Sequence, residues 1–200
     1  MTPTFDTDTV FDTATYMRFY GPVLTPEASD RQVGQLLDLL QPASPLRILD
    51  LPCGFGRFAN RLAARGHQVT GIDLMPGFLD LARSEAQALG VAADYRQGDM
   101  TRLDQVEGYD VVLNLFTSFG YHDDAVCADI LRRMARALKP GGRLVLETLH
   151  ISGLLRRFQP ASVRRVEADR IIDENAYDAV TGRLLTRRTT LVAGQRTESD

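Results

Sequence analysis

The sequence predicts an α/β domain: a doubly wound, mainly parallel sheet with helices on both faces, followed by a C-terminal antiparallel hairpin serving as lid or edge. Three observations carry that prediction. From Arg47 onward, short β-branched or apolar runs alternate with longer helical stripes, and regular strand–helix alternation calls for parallel pairing through crossover connections. The first run leads through a glycine-containing turn into a helix across residues 48–59. After Leu149 the alternation gives way to two strand-like segments joined by a short turn.

The chain has 200 residues, 44% hydrophobic and 24% charged, which describes one ordinary soluble domain and excludes collagen-like, disordered and disulfide-scaffold classes. Its apolar runs are broken by charge well short of the roughly 18 to 20 residues that a bilayer crossing needs. Residues 1–10 are acidic and threonine-rich rather than signal-like. Only Cys53 and Cys127 are present, so neither a disulfide framework nor a zinc site is expected, and the expected compartment is a reducing cytoplasm. A net charge of −3 argues against a nucleic-acid partner, whose phosphates demand a basic excess. Charge is uneven: residues 1–150 carry 14 basic and 19 acidic side chains, residues 151–200 carry 9 and 7, with arginine pairs at 156–157, 164–165 and 187–188. A solvated face is the plain reading of those pairs, and a site for an acidic substrate is the alternative.

In chain order, a helix is expected near residues 30–40, with Val33, Leu36, Leu37 and Leu40 on one face. The stretch 41–45, Gln-Pro-Ala-Ser-Pro, reads as a linker. Strands are expected at 47–51, 68–72, 93–96, 109–115 and 143–149. Between them lie three helical stripes: Phe58, Leu62 and Ala63 closed by Gly66; Phe78, Leu81, Ala82, Ala86 and Leu89 closed by Gly90; and Val126, Ile130, Met134 and Leu138, opened by Asp123 or Asp124. The last stops at Lys139-Pro-Gly-Gly, which turns the chain into the fifth strand. Segments 170–178 and 183–192 suggest a hairpin around Ala-Val-Thr-Gly182, set to cover the sheet's binding end. Three parts follow: an N-terminal helical cap (1–45), a ligand-binding core (46–150) and a hairpin lid (151–200).

Chemistry concentrates in the first strand–turn–helix. Gly54 and Gly56 let backbone approach a ligand, and the helix that follows offers unpaired N–H groups. Gly54-x-Gly56-x-x-Ala59 also satisfies a dinucleotide fingerprint, with Asp73 placed to accept ribose hydroxyls. Asp50 weighs against a dinucleotide: a carboxylate at the tip of the first strand repels a pyrophosphate and suits an ammonium group. Asp50 ending a strand and Asp73 capping the next helix are the purely structural readings of the same residues.

The sequence resembles the class I S-adenosylmethionine-dependent methyltransferases, particularly their small-molecule branch, on four segments in the family's order: Leu49-Asp-Leu-Pro-Cys-Gly-Phe-Gly56, Gly71-Ile-Asp-Leu74, Gln97-Gly-Asp-Met100 and Leu138-Lys-Pro-Gly-Gly-Arg-Leu-Val-Leu-Glu147. The resemblance covers residues 16–149 and implies a Rossmann-like sheet with S-adenosyl-L-methionine as cofactor. It implies that Asp50, Leu51, Pro52, Cys53 and Gly54 line the methionine end, with Gly56 packing the turn. Asp73 would take the ribose hydroxyls, Leu74 and Met75 would flank the adenine, Asp99 would accept from its amino group beside Met100, and Asn114, Leu115 and Phe116 would lie near the sulfonium. Pro52 departs from the family pattern by replacing the first glycine of the turn, which removes a donor and any positive φ.

Tyr16 would close over the cofactor or pack the N-terminal helix. Tyr20, Phe119, Tyr121, His122 and His150 are candidates for facing the substrate, with surface or lid roles as the alternative for the histidines. Methyl transfer is an in-line displacement that positioning can largely catalyse. No catalytic residue is assigned; His122, Tyr121 and His150 are candidate bases if oxygen is methylated. The turn after the fourth strand, Asn114-Leu-Phe-Thr-Ser-Phe-Gly120, lacks the Asn/Asp-Pro-Pro-aromatic pattern of amino-methylating DNA enzymes and favours a small-molecule acceptor. An NAD(P)-dependent oxidoreductase and a catalytically silent nucleotide-binding module are the alternatives. The family continues past such a hairpin into a helix and a closing antiparallel strand pair. Three outcomes stay open: a sheet lacking that edge, a hairpin supplying it, or a chain shortened at its C-terminus. Shortening is expected, leaving a five-stranded parallel core whose exposed edge could support a homodimer.

Overall fold

The structure, a computed structural model, describes residues 5–199. Along the chain run α1 (Thr7–Val10), α2 (Thr13–Tyr20), a 3-10 turn (Gly21–Val23), α3 (Pro26–Leu40), β1 (Arg47–Asp50), α4 (Ala59–Ala64), β2 (Gln68–Asp73), α5 (Pro76–Leu89) and β3 (Asp94–Gln97). A second 3-10 turn (Met100–Arg102) precedes β4 (Tyr109–Asn114), α6 (Asp124–Ala137), β5 (Leu138–Leu146), α7 (Ile151–Arg156), β6 (Ala161–Val166), β7 (Asp169–Asp178), β8 (Arg183–Val192) and β9 (Gln195–Ser199). The contacts group these into two units. One spans Leu24–Thr148, and the other joins the residues up to Val23 with those from Leu149 onward.

The first unit is built on a five-stranded parallel sheet of order β3-β2-β1-β4-β5. Its central strands β1, β2 and β4 are buried on both faces, as parallel strands covered by crossover helices must be. Successive residues alternate between the faces. Ile48, Val111 and Leu113 pack with Val33, Leu36 and Leu40 of α3, Leu62 of α4 and Leu79, Ala82 and Ala86 of α5. Leu49, Leu51 and Val112 pack with Ile130, Met134 and Ala137 of α6. Helix ends carry the expected local chemistry: the Thr25 hydroxyl accepts from the Ala28 amide at 3.2 Å, Asp123 accepts from Val126 at 2.9 Å, and α5 ends on Gly90 at φ +66°.

Several expectations are corrected. The buried face of α5 is Phe78, Leu79, Ala82 and Ala86, while Leu81 is 40% and Leu89 50% exposed. Leu81 is about 100° around the helix from Ala82, on the solvent flank, and Leu89 is the terminal residue. β5 begins at Leu138 rather than 143: Leu138 pairs with Tyr109, the next partner of β4 is Arg143 opposite Val111, and Pro140-Gly-Gly bulges out between them. It ends at Leu146, short of the expected 149. Helix α3 contributes Val33, Leu36 and Leu40 to the core.

The second unit carries an antiparallel sheet of order β6-β7-β8-β9. The expected hairpin is there as β7 and β8, but it is the middle of this sheet and supplies no edge to the parallel one. On it sits α2, whose Arg18 pairs with Asp169 and, at 3.0 Å, with Glu167. Tyr20 stacks with Tyr16 at 4.7 Å and lies under the Arg164 guanidinium, also at 4.7 Å. Arg188 makes a two-pronged pair with Asp173 at 2.7 and 3.0 Å. Among the described residues no helix is long and apolar enough to cross a membrane.

Leu79→Ala is expected to cost about 2 to 5 kcal/mol of stability and Leu81→Ala under about 1 kcal/mol, since only the former removes methyl groups from a closed core. Urea denaturation of the two variants checks the corrected helix face.

Candidate functional site

Parallel strands end together, so the tips of β1, β2 and β4 bring their final residues to one edge of the sheet. Asp50 closes β1 opposite Gly71 and Leu113 and is 2% exposed. The turn after it is tied to its neighbours by backbone bonds: Leu51 N–H donates to Leu113 at 3.0 Å and Cys53 N–H to Ile72 at 2.9 Å. The Leu51–Pro52 peptide bond is cis. Gly54 N–H donates to Asp73 Oδ2 at 2.8 Å, while Met75 N–H donates to Asp73 Oδ1 at 2.9 Å. Each carboxylate oxygen of Asp73 keeps acceptor capacity beyond that one bond.

The two glycines do different work. Gly54 has φ +53°, and a Cβ there would meet nothing within 4 Å, so its backbone borders open space. Gly56 has φ +78°, and a Cβ there would fall 2.5 Å from the Tyr95 hydroxyl and 2.8 Å from Ala82 Cβ. The first is open toward a ligand and the second packs the turn.

Under the turn, Asn114 is fully buried; its Nδ2 donates to the Leu51 carbonyl at 2.8 Å, and its Oδ1 has no partner. Leu115 is buried, and the chain then passes through Phe116 and Thr117, both at φ +58°. Consecutive left-handed residues without glycine are strained and need external support. Glu147 supplies some, its Oε2 accepting from the Phe116 amide at 2.9 Å. Phe116 remains 41% exposed. The Arg57 guanidinium lies 5.3 Å from its ring centre and 4.6 Å from that of Phe58, with Nε donating to Ser29 at 3.2 Å and another nitrogen to Gln32.

Burial, reinforced by the charge of Asp73, pushes the Asp50 carboxyl up to about 8, and the Arg57 cation opposes this. Burial also raises Asp73, against the backbone donors of Met75, Gly54 and Leu74. The Cys53 thiol is raised too, by burial and then by the two carboxylates. Two carboxyl groups with too little compensating charge make a seat that gains from a cationic or hydroxyl-bearing ligand. An ammonium beside Asp50 and a pair of hydroxyls at Asp73 fit this donor and acceptor set.

Further along this edge, Leu74 is 37% exposed beside Met75, and Asp99 Oδ1 accepts from Thr101 N–H at 2.8 Å to open the 3-10 turn. Met100 and Phe119 pack against the α6-side core; that packing leaves Phe119 only partly buried. Tyr121 and His122 are half-buried, and the His122 carbonyl accepts from Cys127 Sγ at 3.3 Å. Tyr16, Tyr20 and His150 belong to the second unit, where His150 is exposed and caps α7 through its backbone alone. Arg57, Asn60, Tyr95 and Glu147 escape the sequence reading. Arg57 leaves a trace there as a charge inside the otherwise apolar Phe55-Gly-Arg-Phe58, and Glu147 only as the end of the fourth segment, with no role attached.

With Asp50 raised, the folded state holds a proton that the unfolded chain releases near pH 3.8, so this stabilisation is complete below that value and lost as pH rises through about 8. Asp50→Asn, nearly isosteric, is expected to flatten that decline in the ligand-free protein. Urea midpoints of native protein and variant at pH 5 and pH 8 check it: the native midpoint should fall more between the two.

The comparisons with known proteins agree with this geometry. Residues 48–142 match the model of a methyltransferase domain family. The ubiquinone biosynthesis O-methyltransferase of Azorhizobium caulinodans is 37% identical over 121 residues, 60% of this chain and 47% of that protein. The demethylmenaquinone methyltransferase of Deinococcus radiodurans is 41% identical over 106 residues, 52% of this chain and 43% of that one. The chain thus spans about half the length of the curated relatives it matches. Among solved structures, the S-adenosylmethionine-bound amino pentose methyltransferase CalS10 of Micromonospora echinaspora aligns with TM-score 0.62 and 25% identity over 96% of this chain and 79% of that one. An S-adenosylmethionine-dependent methyltransferase of Clostridium acetobutylicum aligns with TM-score 0.69 and 14% identity over 95% and 78%, a likeness of fold. The two buried carboxylates at neighbouring strand tips and the glycine turn between them thus lie within the stretch, residues 48–142, that matches a methyltransferase domain.

Proposed function

We propose that this chain moves a methyl group from S-adenosyl-L-methionine to a nitrogen, oxygen or carbon of a small molecule. The observation that carries the reading is the pairing of Asp50 and Asp73 across the turn at Gly54, where the backbone borders open space. In this reading Asp50 holds the ammonium of the methionine end, with Leu51 to Gly54 along it. Asp73 accepts the ribose hydroxyls on the oxygens that already fix the Gly54 and Met75 amides. Leu74, Met75 and Met100 flank the adenine, and Asp99 accepts from its amino group. Asn114 contributes by bracing the turn from beneath, while Leu115 and the exposed ring of Phe116 border the reacting end.

When bound, the cofactor supplies a methyl carbon already activated by the positive sulfur. The chain's part is then to position an acceptor lone pair in line with that carbon and to exclude water, which needs no dedicated acid or base for an amine or carbon acceptor. For an oxygen acceptor, Tyr121 and His122 are the candidate bases within the first unit, and Phe119 completes the candidate surroundings of the substrate there. The names of the relatives, a ubiquinone biosynthesis O-methyltransferase, a demethylmenaquinone methyltransferase and an amino pentose methyltransferase, support a small-molecule acceptor. The charge of −3 speaks against nucleic acid. Cys53 and Cys127, both free, fit a reducing cytoplasm. The β5 side of the parallel sheet, where no further strand pairs among the described residues, is the natural place for a homodimer contact.

Thermal and chemical unfolding with added ligand test the cofactor assignment. S-adenosylhomocysteine at about 100 times its Kd is expected to stabilise by about 2.7 kcal/mol, whereas NADH at the same concentration leaves the midpoint unchanged. Stabilisation by NADH alone would replace this reading with that of an oxidoreductase. Asp73→Ala is expected to weaken S-adenosylhomocysteine by about 10- to 100-fold, the loss of hydrogen bonds to a charged group. Transfer of label from methyl-labelled S-adenosylmethionine to a panel of amines, phenols and sugars then identifies the acceptor; binding without transfer to any of them would favour a silent module.

A further inference from the structure

Gly56 and Gly71 belong to different segments of the first unit, yet the same neighbour fills the space beside both. A Cβ at Gly71 would fall 2.7 and 2.8 Å from the Tyr95 ring and 2.9 Å from Cys53 Sγ. At Gly56 the clash is with the hydroxyl of that same tyrosine, at 2.5 Å, and with Ala82. Tyr95 stands on β3 and is 8% exposed. Its ring lies against the backbone of β2 and its hydroxyl reaches the turn after β1.

The hydroxyl is locked in place. It donates to Asn60 Oδ1 at 2.6 Å, and Asn60 Nδ2 in turn donates to the Ala82 carbonyl at 3.1 Å and Glu85 Oε2 at 2.9 Å. Glu85 Oε1 accepts from Arg61 at 3.1 Å, and Arg61 also donates to the Arg57 carbonyl at 3.1 Å. The Asn60 amide donates to the Gly56 carbonyl at 2.9 Å. The phenol is thus one residue removed from the turn and two residues of β2 removed from Asp73. A buried network satisfied at each of these atoms has one favoured geometry.

We propose that Tyr95 is a positioning residue: its ring, wedged against Gly71, and its hydroxyl, fastened to Asn60 beside Gly56, set the spacing between the turn that carries Gly54 and the strand tip that carries Asp73. The inference rests on the cofactor assignment above and deepens it. Tyr95 touches neither carboxylate through any hydrogen bond in the structure and acts through Gly56, Gly71 and Asn60. It also explains why the Gly71-Ile-Asp segment begins with glycine: the tyrosine occupies the place of a side chain.

The test compares Tyr95→Phe with Leu40→Val. Leu40 ends α3 in the same apolar cluster, so its truncation lowers stability without touching the network. Two readouts are taken well below each thermal midpoint: the calorimetric Kd for S-adenosylhomocysteine, and hydrogen exchange at the Cys53 and Gly56 amides without ligand. Tyr95→Phe is expected to weaken binding about fivefold and to speed exchange at both amides, the net worth of one hydrogen bond taken from the ordering of the turn; Leu40→Val changes neither. Gly71→Ala, which keeps the hydroxyl and crowds the ring, is expected to weaken binding further, and it carries the test if Tyr95→Phe does not fold. Affinity unchanged in both Tyr95→Phe and Gly71→Ala, or an equal loss in Leu40→Val, overturns the proposal. A native protein that binds no S-adenosylhomocysteine overturns the cofactor assignment instead, and exchange at the two amides then decides the wedge: faster in Tyr95→Phe supports it, unchanged overturns it.

Discussion

The hydrogen bond from the Gly54 amide to the Asp73 carboxylate, 2.8 Å long, is the constraint on which the site depends. It ties the turn after β1 to the tip of β2 and holds the carboxylate in a fixed orientation. It spends one acceptor position of a buried carboxylate on the protein itself, as the Met75 amide does on the other oxygen, so the acceptor positions that remain are aimed rather than free to rotate. The neighbouring Asp50 has no such backbone donor among the described residues, and burial drives it toward its neutral form. One carboxylate is therefore fixed by the fold, and the other is left to be satisfied from outside.

Much of this was legible in the sequence because it rests on local rules. Parallel strands buried on both faces read as continuous apolar runs, as in Val111-Val112-Leu113. Helix ends declared themselves through Asp123 and Gly90. The glycine turn and the two aspartates sit at strand ends that the apolar runs already mark. Where the reading slipped, a flank or a bulge decided the outcome: Leu81 faces solvent although it is apolar, and Pro140-Gly-Gly lies within the pairing of β5 rather than before it. The strands β6 and β9 are mostly exposed, and β9 is wholly polar while only half of β6 is apolar. They join a sheet because neighbours offer open hydrogen-bonding edges, a fact that no residue within them advertises.

The residues that the sequence could not show as functional are those that act over long separations. Arg57 earns its meaning from Ser29 and Gln32 on a helix far upstream and from Phe116 downstream. Glu147 matters because it takes the amide of Phe116, and Tyr95 because two glycines leave room for it. Each of these contacts depends on the sheet order, and chain order runs differently. The charge pairs of the last fifty residues are a further case, resolved into particular partners: Arg188 with Asp173, and Arg164 with the ring of Tyr20.

The second unit is discontinuous, with Arg18 reaching Asp169 and Glu167 across about three quarters of the chain. During synthesis the parallel core, ending at Thr148, can leave the ribosome and close before the partners of α2 have emerged. The first helices to emerge must then wait, with Tyr16 and Tyr20 unburied, until the antiparallel strands arrive. Helix α2 thus completes its pairing only once the residues around Asp169 are available.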